Sequence, residues 1–234
     1  MDSWKLLDSA RAPGNGGELW LYQRGPEYSI RVNGTELMNS CQHGSEEELA
    51  ELACERIARR PHARVLIGGL GMGYTLSAAL RSLGPDSEIV VSELVPAVVQ
   101  WNREFMSHLA GDPLNDPRVL VREQDVAKII QNEQRAWDAI LLDVDNGPEG
   151  LTRKGNDWLY GINGLSSAYF ALRPGGVLAV WSAAPDKGFT QRLYKIGYDV
   201  DEVRVRSRRT RGDHHVIWLA GRFDDSRVQK ISRA

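Results

Sequence analysis

Apolar positions along the chain change their period several times, and each change marks an element. Over residues 18–23 (ELWLYQ), 28–32 (YSIRV) and 35–38 (TELM) they come in short alternating runs, the signature of half-buried strands. Arg24-Gly25-Pro26 and Asn33-Gly34 separate these runs, and Asn-Gly accepts the positive φ of a tight hairpin turn. The three strands predict a β-meander that leans on a larger body or on a partner subunit, because an isolated hairpin is marginal in water. Residues 11–17 (RAPGNGG) ahead of them are turn-rich and carry no periodic signal.

From Ser45 the period lengthens. Leu49, Leu52, Ala53 and Ile57 recur at helical spacing, Ser45 with Glu48 fits a capping box, and Pro61 follows the basic end Arg59-Arg60. Apolar strand runs then alternate with helical stretches. The strands are 63–67 (ARVLI), 88–92 (EIVVS), 119–123 (VLVRE), 139–143 (AILLD) and 176–181 (GVLAVW). The helices fall at 74–83, 96–105, 126–134, 165–172 and 189–195. Short, nearly continuous apolar strands between helices predict a parallel sheet covered on both faces. The ending breaks this rhythm, since 199–206 (DVDEVRVR) and 215–220 (HVIWLA) have only a loop between them. That loop cannot hold a crossover helix, so the pair is expected as an antiparallel hairpin at the sheet edge.

Composition narrows the function. In 234 residues there are 29 Lys plus Arg against 31 Asp plus Glu, a formal charge of −2, which argues against a general binder of nucleic acid. No stretch approaches the ~20 apolar residues of a membrane span, and Met1-Asp2-Ser3-Trp4-Lys5 lacks the layout of a secretory signal. Cys41 and Cys54 make neither a disulfide framework nor a zinc set. The expectation is a cytoplasmic protein with no metal and no membrane partner. One local exception is the arginine-rich loop, with Arg204, Arg206, Arg208, Arg209 and Arg211 followed by His214-His215. A solvated loop is the plain reading. An anionic acceptor such as RNA, or the Glu46-Glu47-Glu48 run of a second subunit in a homodimer, are the alternatives.

The candidate chemistry gathers at strand ends. The strand over 63–67 runs into Gly68-Gly69-Leu70-Gly71-Met72-Gly73 and then a helix. Gly69, Gly71 and Gly73 let backbone approach a ligand closely and leave helix N–H groups free. Glu93, after the next strand, is placed to accept hydrogen bonds from both hydroxyls of a ribose. Asp125, with Val126 beside it, follows the third strand, where it accepts from a base amino group, caps the next helix, or does both. Asp143 ends the fourth strand and Asp145 follows it, a carboxylate cluster at the ligand-binding edge. Glu149 and Asp157 add to the negative field there. The plain reading of Asp143 and Asp145 is loop capping. Trp158, Tyr160 and Trp181 are candidates for the wall of an acceptor pocket or, equally, for core.

These features together resemble the class I S-adenosylmethionine-dependent methyltransferase fold, seven strands with the last one antiparallel. Within it, the order of β-meander, helix, VLIGGLGMGYTL, VVSELVPAVV, QDV, DAILLDVDNGP and LRPGGVLAVW is similar to the spermidine synthase family of aminopropyltransferases, over roughly residues 18–220. The resemblance implies an α/β, Rossmann-like sheet at 44–222, the meander within 1–43 and a tail at 223–234. It implies transfer of an aminopropyl group from decarboxylated S-adenosylmethionine to a small amine acceptor. Gly69, Gly71 and Gly73 would then face the methionine part, Glu93 the ribose, and Asp125 and Val126 the adenine. Asp143 would be the base and Asp145 the holder of the far end of a diamine.

Three departures fall on the amine side. The family's loop normally reads like GGGDGG, and Met72 stands where its Asp would be. The acidic run after the fourth strand is shortened to Asp143-Val144-Asp145-Asn146-Gly147-Pro148. A Tyr-His-Glu set on the first helix is replaced by Leu49-Ala50-Glu51 or its neighbours. Two further readings stay open for these reasons: a methyltransferase using S-adenosylmethionine itself on a small acceptor, and a non-catalytic protein that binds a nucleoside or a partner.

Overall fold

The computed structural model describes residues 3–13, 17–144, 157–208 and 211–223. Two sheets organise them. The first is antiparallel, in the order β1 (Lys5–Arg11), β2 (Glu18–Arg24), β3 (Glu27–Val32), β4 (Thr35–Asn39). The turn-rich segment is thus preceded by a strand that the hydrophobic pattern does not announce. Leu6 and Leu7 are adjacent rather than alternating, and a bulge between Leu6 and Asp8 shifts the register against β2. A bulge places one extra residue in a strand and so erases its period-2 signature.

The second sheet has seven strands. Five of them are β5 (Arg64–Gly68), β6 (Glu88–Ser92), β7 (Val119–Arg122), β8 (Trp137–Leu142) and β9 (Leu172–Ser182), and β10 (Asp199–Arg208) and β11 (Arg211–Gly221) complete it. Their spatial order is β10-β11-β9-β8-β5-β6-β7. All pairings among β5 to β9 are parallel, while β11 runs antiparallel to both β9 and β10. The expected terminal hairpin is present, with longer strands and a shorter connection than its hydrophobic runs suggested. Strand β8 is buried at every position, as a central parallel strand must be.

The helices are α1 (Gly44–Ile57), α2 (Tyr74–Ser82), α3 (Pro96–Trp101), α4 (Val126–Asn132), α5 (Asp157–Tyr160), α6 (Ile162–Ala171) and α7 (Lys187–Ile196). Leu49, Ala50, Ala53, Cys54 and Ile57 of α1 are buried, the stripe that the spacing predicted. The expected capping box does not form. His43 is the residue before the helix and caps nothing with its side chain, while the Ser45 hydroxyl meets His215 Nδ1 of β11 at 2.9 Å. A tertiary hydrogen bond has displaced the local one. Among the described residues no helix is long and apolar enough to cross a membrane.

One face of the large sheet and the small sheet share a core. Leu21 and Ile30 of the meander belong to the same buried cluster as Leu49, Ile67, Leu76 and Trp101. Trp101 is buried and its indole N–H donates to Asp8 of β1 at 2.6 Å, which ties the small sheet to α3. The other face is covered by α4, α6 and α7 around Trp137, Leu165, Phe189 and Trp218. At the far, N-terminal edge, Asp138 is 2 % exposed and accepts from Arg60 at 2.6 Å, Arg173 at 2.7 Å and the Arg64 amide at 2.8 Å. Such a buried carboxylate is tolerable only because it is surrounded by donors.

Candidate active site

Strands β5, β6, β7 and β8 all end toward the same edge, and a cleft opens there beneath the small sheet. Its floor contains Gly69, Gly71, Ser92, Glu93, Asp125, Val126 and Asp143. Its roof is apolar, from Leu19, Ile30, Val32, Leu37 and Met38 of the meander. The meander was expected only to lean on the main body, but it lines the site. The alternation of Leu19 with Leu21 and of Ile30 with Val32 carried the information that one face was buried, but not against what.

The glycine loop requires its glycines. Gly69 has φ +90°, and a Cβ there would sit 2.3 Å from the Asp143 carbonyl oxygen. Gly71 and Gly73 also have positive φ, +52° and +84°. Asn102 braces the loop from a π-helical turn after α3, donating to the Gly71 carbonyl at 2.8 Å and to that of Val98 at 2.9 Å.

Glu93 is 8 % exposed and its carboxylate is held at both oxygens. The Leu70 amide donates to Oε2 at 2.9 Å and the Val95 amide to Oε1 at 2.8 Å. With one amide on each oxygen the side chain is fixed in place, and it lines the cleft. Asp125 performs the helix-capping role, accepting from the Ala127 amide at 2.8 Å, while it also lines the cleft. Its two readings are compatible.

Asp143 stands where the cleft meets a second, smaller pocket lined by Leu37, Met38, Glu46, Leu70, Met72, Tyr74 and Trp181. Thr75, in the first turn of α2, donates its hydroxyl to Asp143 Oδ2 at 2.7 Å. Burial pushes the Asp143 carboxyl up to about 6, against the opposing pull of the Thr75 hydrogen bond. Glu46, in the first turn of α1, faces the same space. Burial, then the charges of Asp143 and Glu47, hold its carboxyl well above the usual range.

Neither Thr75 nor Glu46 stood out in the sequence. Thr75 follows the glycine loop by two residues, so the first turn of a helix starting there is a place to look. Nothing local separates Glu46 from Glu47 and Glu48. Asp145, Glu149 and the Asp157 side chain lie outside the described residues. Tyr160 is core rather than wall, with its ring against Phe189 and its hydroxyl donating to the Val144 carbonyl at 3.0 Å. Trp158 packs on the same cluster as Tyr160, and only Trp181 of the three aromatic candidates reaches the pocket. Among the described residues no three His, Cys, Asp or Glu side chains converge as a metal site.

The arrangement is an open α/β cleft with a carboxylate at the strand end, a glycine loop and an acidic side pocket. The spermine/spermidine synthase domain matches residues 44–187, well over half of the chain, and the chain belongs to that family. Polyamine aminopropyltransferase 1 of Streptomyces coelicolor is 29% identical over 127 residues, which are 53% of this chain and 23% of that protein. The polyamine aminopropyltransferase of Korarchaeum cryptofilum is 26% identical over 134 residues, 56% of this chain and 40% of that one. The matched stretches thus span less than half of these relatives' lengths.

Among solved structures, spermidine synthase from Thermotoga maritima superposes with a TM-score of 0.75 at 17% identity, over 94% of this chain and 74% of that one. A spermidine synthase in complex with the transition state analogue AdoDATO gives 0.74 at 17% identity, over 94% and 73%. The expected methyltransferase-like sheet with its N-terminal meander is the shared fold.

Proposed function

We propose that the chain transfers an aminopropyl group from decarboxylated S-adenosylmethionine to a small amine. The observation that carries this reading is Asp143, a half-buried carboxyl raised to about 6 that lines both the cleft and the acidic pocket. The likeness to polyamine aminopropyltransferases, and to a spermidine synthase that holds a transition state analogue, supports the choice of chemistry.

The residues fit the donor. Gly69, Gly71 and Gly73 would let its sulfonium end lie against backbone, the fixed Glu93 carboxylate would accept from its ribose, and Asp125 and Val126 would border its adenine. The donor brings a carbon already made electrophilic by the adjacent sulfonium. What remains for the protein is alignment and proton removal. The acceptor nitrogen's lone pair forms the new C–N bond, the C–S pair returns to sulfur, and a neutral thioether leaves. Asp143 takes the proton that the nitrogen sheds. Its raised pKa suits this task, because it is ionised near neutral pH yet basic enough to hold the proton. Asp145 would act with it at the far end of the acceptor.

Methyl transfer from S-adenosylmethionine is the second reading, and Met72 in place of an acid favours it. The carboxylates of Glu46 and Asp143 oppose it, because the intact donor would bring its own carboxylate toward like charge in a poorly solvated pocket. Incubation with decarboxylated S-adenosylmethionine and a linear diamine, followed by mass spectrometry, tests the assignment. Methylthioadenosine and a product heavier by one aminopropyl group are expected. A methylated product from the intact donor, with no aminopropyl product, would overturn it.

A further inference from the structure

The small pocket holds a carboxylate that neither the glycine loop nor the end of β8 supplies. Glu46 lines it from the first turn of α1, together with Asp143, and its carboxylate makes no hydrogen bond among the described residues. The charges that bear on it are those of Asp143 and Glu47. The basic side chains near this turn are directed to Glu47 instead, with Arg81 at 3.6 Å and His43 at 3.4 Å from its carboxylate. From α2, Thr75 bonds Asp143, and the Tyr74 hydroxyl donates to the Ser40 carbonyl. From β11, His215 is engaged with Ser45.

The wall carries a second sign of an absent partner. The indole N–H of Trp181 is buried in this pocket without a hydrogen-bond acceptor among the described residues, an arrangement that finished cores rarely keep. Two carboxylates lining one small pocket, each feeling the other's charge, also form a poor resting state without a cation. One proton held by the pair relieves it.

We propose that Glu46 and Asp143 form a receptor for one primary ammonium group on a short alkyl chain, with Glu46 supplying from α1 the negative charge that the loop lacks at Met72, and that the ammonium displaces a proton shared by the two carboxylates. The methylene stem lies against Leu37, Met38 and Met72, and the rings of Tyr74 and Trp181 favour a cation at its end. The displaced proton goes to solvent, and the site's net charge changes little on binding. This rests on the aminopropyl-transfer reading, and it adds which residue reads the amine. The ammonium belongs either to the donor's aminopropyl arm or to the acceptor, and the test separates the two.

The experiment compares wild type with Glu46→Gln by calorimetry at pH 6.5, in two buffers of different ionisation enthalpy, using decarboxylated S-adenosylmethionine, methylthioadenosine and 1,4-diaminobutane as probes. Wild type is expected to release a proton on binding an amine-bearing probe and none on binding methylthioadenosine. In Glu46→Gln the proton release disappears and affinity for that probe falls at least about tenfold, with methylthioadenosine unchanged and the melting temperature no lower than wild type. Loss confined to the decarboxylated donor assigns the ammonium to the donor, and loss confined to the diamine assigns it to the acceptor. Equal affinities and equal proton release in the two proteins would overturn the proposal. Failure of wild type to bind either adenosyl probe would instead sink the transfer reading, and the diamine titration alone would then decide for or against Glu46.

Discussion

At the scale of single residues, the site is built from carboxylates whose surroundings give them different tasks. Glu93 is spent partly on the loop it supports, since it accepts from the Leu70 and Val95 amides. Glu93→Ala is therefore expected to weaken donor binding more than tenfold, about 1.4 kcal/mol, and also to lower stability by about 1–3 kcal/mol by leaving two buried amides unpaired. Calorimetry and denaturant melts measure the two losses separately, and unchanged affinity in a folded variant would remove Glu93 from the ribose. Asp143 differs in being raised rather than fixed. Turnover should climb with pH through about 6 and level off above it, as expected of a base that must be ionised. Asp143→Asn should flatten that limb and lower turnover at least about 100-fold while leaving donor binding intact.

The same shift has a consequence for stability. A carboxyl raised from 3.8 to about 6 in the folded state stabilises the fold below its ordinary pKa, and that contribution is lost as pH rises through about 6. Relative to Asp143→Asn, wild type without ligand should therefore lose stability between roughly pH 4 and 6. A gain over that interval would contradict the burial of Asp143. Glu93, Asp125 and Asp143 were legible because strand ends are identifiable in sequence and acids at them are few. Glu46 was not, because its distinction from Glu47 is the direction it faces, which only the packing of α1 decides.

At the scale of elements, the first turn of α1 and the terminal hairpin act together. The bond between Ser45 and His215 joins α1 to β11 one residue from Glu46, and the His215 ring meets Trp181 edge-on with centroids 4.7 Å apart. Two walls of the acidic pocket are therefore linked. Burial lowers the His215 pKa, so the neutral ring is the form that this contact holds. Ser45→Ala is expected to cost about 0.5–1.5 kcal/mol in a denaturant melt, the worth of one such bond, and to raise the KM for the amine with little change in donor affinity. A loss of stability with an unaltered KM would separate the bond from the pocket.

Helical and strand periodicity identified most of these elements. It failed where a tertiary contact overrode a local signal, as at Ser45, or where a bulge interrupted alternation, as in β1. The arginines of the hairpin remain exposed at Arg204, Arg206 and Arg208, in keeping with the plain reading of a solvated segment.

At the scale of the whole molecule, two sheets close on one cleft. The large sheet presents backbone and carboxylates at its C-terminal edge, as open α/β sheets do. The small sheet supplies an apolar roof, and the pair encloses a cleft that shares Leu37, Met38, Gly71 and Asp143 with an acidic pocket. The parallel pairing and the terminal hairpin followed from the alternation of apolar runs and helices, whereas the spatial order of the strands did not. The position of the meander over the site did not, because a short amphipathic sheet states that it is half buried without naming its partner.

Donor binding should tighten the whole assembly. A ligand at 100 times its dissociation constant adds about 2.7 kcal/mol, which raises the melting temperature of a domain this size by about 5–11 °C. The most direct measurement is a parallel titration of the protein with decarboxylated S-adenosylmethionine and with S-adenosylmethionine. The site described here predicts that the decarboxylated compound binds at least about tenfold more tightly, because the extra carboxylate must approach Glu46 and Asp143. Equal or tighter binding of the intact compound would contradict it.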